Sequence, residues 1–282
     1  MTSFEEKKLA IPGFTIALKM WHSKKTKPVL CLHGKLDNAA SFDLLAPLLP
    51  HLQLAAVDYP GTGYSSHYQE GVIPHWKNDA YLMLHLIKIL EWEKFDIIAH
   101  SLGSLLAIII AIALPKQVGK VVFLDILGPT VNFIENKITY LHRDVATYLT
   151  CHQHMRTIFV DQESAIQDRM KIGNISYQAA EALVRRGTQK CEAGWIWTFD
   201  PRLRCVSSTM PHEDELRAMF NALEIPVCLI RAKQGVPYPD NIFQARAQSI
   251  KHLTTYELQG GHHLHMDNPA PVANIISPFL ET

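Results

Sequence analysis

The chain has 282 residues, 48% of them apolar, with 27 acidic and 27 basic side chains and a pI near 7.3. That length buries one large core, or a core and a smaller lid, and predicts one globular unit rather than two independent domains. Zero formal net charge and the lack of a basic run argue against nucleic acid or an anionic membrane as partner, leaving a small molecule as the expected one.

The opening MTSFEEKKLAIPGF has neither a long apolar stretch nor an Arg-rich amphipathic pattern, so no targeting peptide is expected. Short apolar runs then alternate with helical patterns. PVLCLHG, LQLAAVDYPG, FDIIAHS and VGKVVFLDIL read as strands, and SFDLLAPLLP, HWKNDAYLMLHLIKILEW and SLGSLLAIIIAIALP as helices between them. Continuous apolar strands separated by crossover helices predict an α/β fold, a doubly wound, mostly parallel sheet covered on both faces. After Gly128-Pro129 the alternation stops until about Thr209, and that stretch reads as several helices with no strand among them. It resumes with DELRAMFNAL, IPVCLIRA, DNIFQARAQSI, HLTTYELQGG and PAPVANIISPFLE. The expected organisation is a core over 1–128, a helical cap over 129–209 and the remainder of the core over 210–282, the cap lying where ligands of open α/β sheets bind.

The most apolar run, SLLAIIIAIAL, is about half the length that crosses a bilayer, so a core helix and no membrane insertion are expected. Cys31, Cys151, Cys191, Cys205 and Cys228 are odd in number and include no CxxC pair. Reduced thiols in a cytoplasmic protein follow, with neither a disulfide framework nor a zinc site. A homodimer is left open.

Ser101 lies in AHSLG, between a strand-like and a helix-like run. A serine there is either a helix N-cap or a nucleophile on a strained turn, and the second needs small neighbours, which Ala99 and Gly103 supply. HGKLDN and DYPGTGYS follow two other strands, and GGHHLHM follows the last one. The HHLH spacing does not face three imidazoles toward one ion and no Cys or acid joins it nearby, so no metal is expected.

In this order the stretches resemble the α/β-hydrolases. AHSLG is similar to their G-x-S-x-G nucleophile elbow with Ala in the first position, HGKLDN to the oxyanion-hole loop, DYPGTGYS to a structural turn, and GGHHLH to the histidine loop. Together with LIRAKQG they resemble the branch called serine hydrolase-like proteins. The resemblance implies an eight-stranded sheet with the cap after the sixth strand, Ser101 as nucleophile and His262 as general base. It places the backbone amides of Leu102 and Lys35 at the oxyanion hole. Most relatives carry the triad acid after the strand that follows the cap, where this chain has Gly235. Some branches carry it after the strand before the cap, which selects Asp125, while Asp240 and a dyad without an acid stay as alternatives.

The activity implied is that of a cofactor-free serine hydrolase cleaving a small or medium carboxylic ester through an acyl-enzyme. A perhydrolase, a C–C hydrolase or a non-catalytic receptor for a small apolar ligand stays open. Trp195 and Trp197, in GWIWTFDP, are either a wall of the substrate pocket or the cap's own core, and His100 and His263 are candidate pocket residues. Arg185-Arg186 is a solvated or cap-anchoring pair.

Overall fold

The computed structural model describes residues 3–22, 27–129, 134–151, 157–205, 210–237 and 239–281. The strands are β1 (Phe4–Ile11), β2 (Phe14–Trp21), β3 (Pro28–Leu32), β4 (Gln53–Val57), β5 (Phe95–His100), β6 (Val118–Leu124), β7 (Thr188–Cys191), β8 (Gly194–Trp197), β9 (Val227–Gln234) and β10 (Leu253–Gly261). Eight form one sheet in the order β1-β2-β4-β3-β5-β6-β9-β10. β1 and β2 make an antiparallel hairpin at one edge, β2 is antiparallel to β4, and the remaining pairs are parallel.

Alternate residues of the central strands feed two apolar layers. Leu30, Leu32, Ile97, Val121 and Leu229 point to one side, where α1 (Trp76–Leu90) and α2 (Gly103–Ala113) pack. Val29, Cys31, Ile98, Val122 and Ile230 point to the other, beneath a 3₁₀ turn at Ala39–Phe42 and the C-terminal helix. Both faces are therefore dry, as the continuous apolar runs require. In α1 the buried Ala80, Met83, Leu86 and Ile87 recur at helical spacing. The helix opens where the His75 side chain accepts the Lys77 amide and closes at Glu91, which has φ 55°.

Between β6 and α6 (Glu213–Asn221) lies an insert containing α3 (Ile134–Thr150), α4 (Gln162–Gly173) and α5 (Tyr177–Gly187). It also contains the antiparallel pair β7–β8, which departs from the all-helical expectation. Four-residue strands are too short to show a period. The Trp195 N–H donates to the Phe159 carbonyl and the Trp195 carbonyl accepts the Phe159 N–H, and a side chain at Gly194 (φ 141°) would meet the Phe159 carbonyl at 2.2 Å. α7 (Asp240–Gln248), α8 (Leu264–Asp267) and α9 (Pro269–Glu281) complete the chain. No helix among the described residues is long and apolar enough to cross a membrane.

The insert is fastened to the DYPGTGYS turn. Arg186, on α5, is buried and donates through Nε to both Asp58 oxygens at 3.1 and 3.0 Å and through Nη1 to Glu6 at 2.6 Å. Asp58 also accepts the amides of Ala39 and Tyr64, at 2.7 and 2.8 Å, and a Cβ on Gly63 would lie 2.2 Å from its carboxyl carbon. The Asp200 amide donates to the Gly61 carbonyl at 2.7 Å, and Arg202 ties Asp200 to the carbonyls of Tyr68, Gln69 and Val72. Arg185, one residue away, is exposed and pairs with Glu181 within its own helix. Removing one partner of a buried ion pair strands the other, which costs about 3–5 kcal/mol. Arg186→Met should therefore lower the unfolding free energy measured in urea by about 3 kcal/mol or more, whereas Arg185→Met should change it by less than about 1 kcal/mol.

Candidate active site

β5 delivers His100 and then Ser101, whose φ of 52° puts it on a sharp turn before α2. The turn is possible because its neighbours are small: a Cβ at Gly103 would lie 2.4 Å from the Leu32 carbonyl, and one at Gly34 would lie 3.1 Å from Ser101 Cβ. A left-handed φ on a non-glycine residue is a strained conformation that the surroundings must hold in place.

His262 follows β10. Its Nε2 accepts the Ser101 hydroxyl at 2.9 Å, and its Nδ1 donates to Asp125 Oδ2 at 2.6 Å. Asp125 comes directly after β6, with φ 70°, and its amide donates to Ile230 at 2.8 Å. Its carboxylate also accepts the Ala232 and Val236 amides at 3.1 and 3.0 Å. Those donors lie at the end of β9 and just beyond it, so the strand after which the family resemblance leads us to expect an acid supplies a cradle for a carboxylate from its neighbour. A Cβ at Gly235 would sit 1.9 Å from Asp125 Oδ1. The glycine where an acid was sought is the space that the Asp125 carboxylate fills. Asp240 is exposed at the start of α7 and has no bond to His262.

The main-chain N–H groups of Lys35 and Leu102 find no acceptor among the described residues, and both residues line a small cavity with Gly34, Thr62 and Leu203. The Lys35 side chain runs under the insert. Desolvation lowers the pKa of its ammonium, with Asp144 opposing and Arg143 and Arg204 reinforcing the shift. A larger cavity, about 520 Å³, lies across the Pro201–Cys205 turn, walled by Trp197, Phe199, Arg143 and Arg204. Trp197 and Phe199 face this cavity, Trp195 and Trp197 both pack against the insert's own apolar cluster, and Trp195 pairs its backbone with Phe159.

His100 and His263 support the histidine loop from below. His100 is fully buried, and its Nε2 donates to the His262 carbonyl at 2.9 Å. Burial and three neighbouring imidazoles hold its pKa well below the ordinary value, so it is neutral. His263 Nε2 lies 3.2 Å from Asp37 Oδ2, and Arg169 of α4 donates to Asp37 Oδ1 at 2.8 Å. Burial alone would raise the Asp37 pKa, but His263, Arg169 and His100 outweigh it and hold the carboxyl well below its usual range. His265 meets Ser41 at 2.9 Å and is pushed down to about 3 by burial and by His263. Asp37 lies within HGKLDN, where no local pattern gives it a role, and nothing around Arg169 sets it apart from other helix-surface arginines.

The α/β hydrolase fold family matches residues 27–150. Over 98% of its length the chain is 31% identical to the serine hydrolase-like protein of Mus musculus, covering 95% of that protein. It is 32% identical to serine hydrolase-like protein 2 of Homo sapiens over 98% of this chain and 94% of that one. The crystal structure of hypothetical protein PA1622 from Pseudomonas aeruginosa PAO1 superposes with a TM-score of 0.90 at 31% identity, covering 99% of this chain and 100% of that one.

The geometry makes one spectroscopic prediction. A short, charge-assisted bond at the 2.6 Å separation of His262 Nδ1 and Asp125 should place that proton far downfield in the proton NMR spectrum. Gly235→Ala should abolish the signal by displacing the carboxylate, and Asp240→Asn should leave it in place. With relatives of this similarity aligned along nearly its whole length, the chain belongs to the α/β-hydrolase superfamily and, within it, to the serine hydrolase-like proteins.

Proposed function

We propose that this hydrolase cleaves small or medium carboxylic esters through an acyl-enzyme on Ser101. The observation that carries the reading is the unbroken chain from Asp125 through His262 to Ser101, at 2.6 and 2.9 Å, beside two amides with no acceptor of their own. Ser101 Oγ attacks the ester carbonyl carbon while His262 Nε2 takes its proton. The new oxyanion is received by the Leu102 and Lys35 amides. The tetrahedral intermediate then expels the alcohol, which takes the proton back from His262. Water repeats the sequence and releases the acid. Asp125 holds the Nδ1–H tautomer and stabilises the imidazolium, without itself accepting the proton.

The insert acts as a cap, and the cavity walled by Trp197 and Phe199 receives the body of the substrate. Arg143 and Arg204 stack on Tyr140 and Phe199, and among the described residues neither guanidinium has a carboxylate within ion-pair distance. With Lys35 nearby, this wall favours an ester bearing a carboxylate at its far end. The non-catalytic receptor reading leaves the alignment of Ser101 with His262 without a purpose.

Turnover of p-nitrophenyl acetate and butyrate tests the reading. Ser101→Ala and Asp125→Asn should each lower kcat on the order of 10⁴-fold, while Asp240→Asn stays within about twofold. Activity that survives Ser101→Ala, or that is lost in Asp240→Asn and kept in Asp125→Asn, contradicts the assignment. For the far-end carboxylate, kcat/KM for a monoester of a dicarboxylic acid should exceed that for its neutral diester. Arg204→Gln should reduce that ratio by about tenfold without affecting the neutral ester.

A further inference from the structure

Beside the Ser101 relay, three ligand atoms from distant parts of the chain converge without taking part in it. They are a carboxylate oxygen of Asp37 and ring nitrogens of His100 and His263, all buried and all within 4.8 Å of one another. His263 Nε2 lies 3.2 Å from Asp37 Oδ2, and His100 Nδ1 lies 3.8 Å from the same oxygen. In a tetrahedral zinc site with bonds of about 2.0–2.1 Å, neighbouring ligand atoms are roughly 3.3–3.4 Å apart. The two measured edges bracket that spacing.

Hydrogen bonding leaves one of the two nitrogens with a free lone pair. His100 Nε2 donates to the His262 carbonyl at 2.9 Å, which fixes the proton there and leaves the lone pair on Nδ1. That Nδ1 is buried and has no hydrogen-bond partner. His263 Nε2 donates to the Asp37 carboxylate in the cation-free protein, and an incoming cation takes the place of that proton, which can move to the buried, unpartnered Nδ1. Gly34 keeps the space open, since a Cβ there would lie 2.9 Å from His100 Nδ1 and 3.1 Å from Asp37 Oδ2.

A cation already stands at the edge of this cluster. Arg169 Nη2 is 2.8 Å from Asp37 Oδ1 and 3.4 Å from His263 Nε2. Its side chain remains 14% exposed, on a helix of the insert, so it can swing to solvent without opening the core. We propose that Asp37, His100 and His263 form a site for a zinc-class divalent cation, which enters by displacing the Arg169 guanidinium. Two imidazoles and one carboxylate with a fourth position open suit zinc, whereas magnesium and calcium favour a shell of oxygens. The ion would sit against the segment that holds His262, through its neighbour His263 and through the His100 bond to its carbonyl.

The proposal does not depend on Ser101 being a nucleophile, and binding rather than turnover tests it. Zinc chloride is titrated calorimetrically into the intact protein and its variants, with folding followed by far-UV circular dichroism. One zinc per chain is expected in the wild type and in His262→Ala, with no heat from magnesium chloride. Arg169→Met, which removes the competing cation, should bind zinc about tenfold more tightly, and Asp37→Asn and His263→Gln should weaken binding by at least about tenfold. Absence of zinc from both the wild type and Arg169→Met overturns the proposal. So does binding that survives Asp37→Asn and His263→Gln but vanishes in His262→Ala, because the ion would then lie on the relay.

Discussion

The end of the sheet is organised around room for one carboxylate. Asp125 reaches His262 because Gly235, just past the end of β9, leaves it room and the Ala232 and Val236 amides face the same spot. Three hydrogen bonds satisfy a buried anion that would otherwise be costly to place there. Once that carboxylate is fixed, the imidazole has one tautomer and one orientation, and Ser101 on its strained turn meets the free nitrogen. Moving the acid to β9 would require giving up this cradle as well as exchanging a residue.

A second set of charges, at Asp58, joins the sheet to the insert. Arg186 and the amides of Ala39 and Tyr64 converge on that one carboxylate, so the turn after β4, the loop after β3 and α5 are held in common. Asp37 does the same between the loop that carries Lys35, the histidine loop and α4. Polar contacts of this kind give direction where apolar packing alone would let the insert slide, because each fixes a distance and an angle.

Local chemistry was legible in the sequence, and assembled chemistry was not. The parallel sheet followed from short apolar runs spaced by helices, and the elbow from a serine between small residues after a strand. Ser101 and His262 each sit in a motif a few residues long, so each could be proposed without knowing the fold. Asp125 needed more, because its place depends on a strand about a hundred residues later, and the sequence showed this only as a glycine where an acid was sought. Asp37, His100, Arg169 and His263 come from four separate segments, and no spacing announces that they meet. The hairpin β7–β8 leaves no periodic signal because four residues do not establish a period, and Gly194 is explained only by the Phe159 backbone it lies against. Of the paired arginines, only the fold shows that Arg186 is buried against Asp58 and Glu6 while its neighbour faces water.

The proposed reaction stands on Ser101 being an activated nucleophile. It is tested most directly by exposing the folded protein to a fluorophosphonate and locating the adduct by peptide mass, since that reagent needs an activated serine and no knowledge of the natural ester. A single adduct on Ser101, absent in His262→Ala, is expected. An unlabelled protein, or an adduct on another residue, would contradict it.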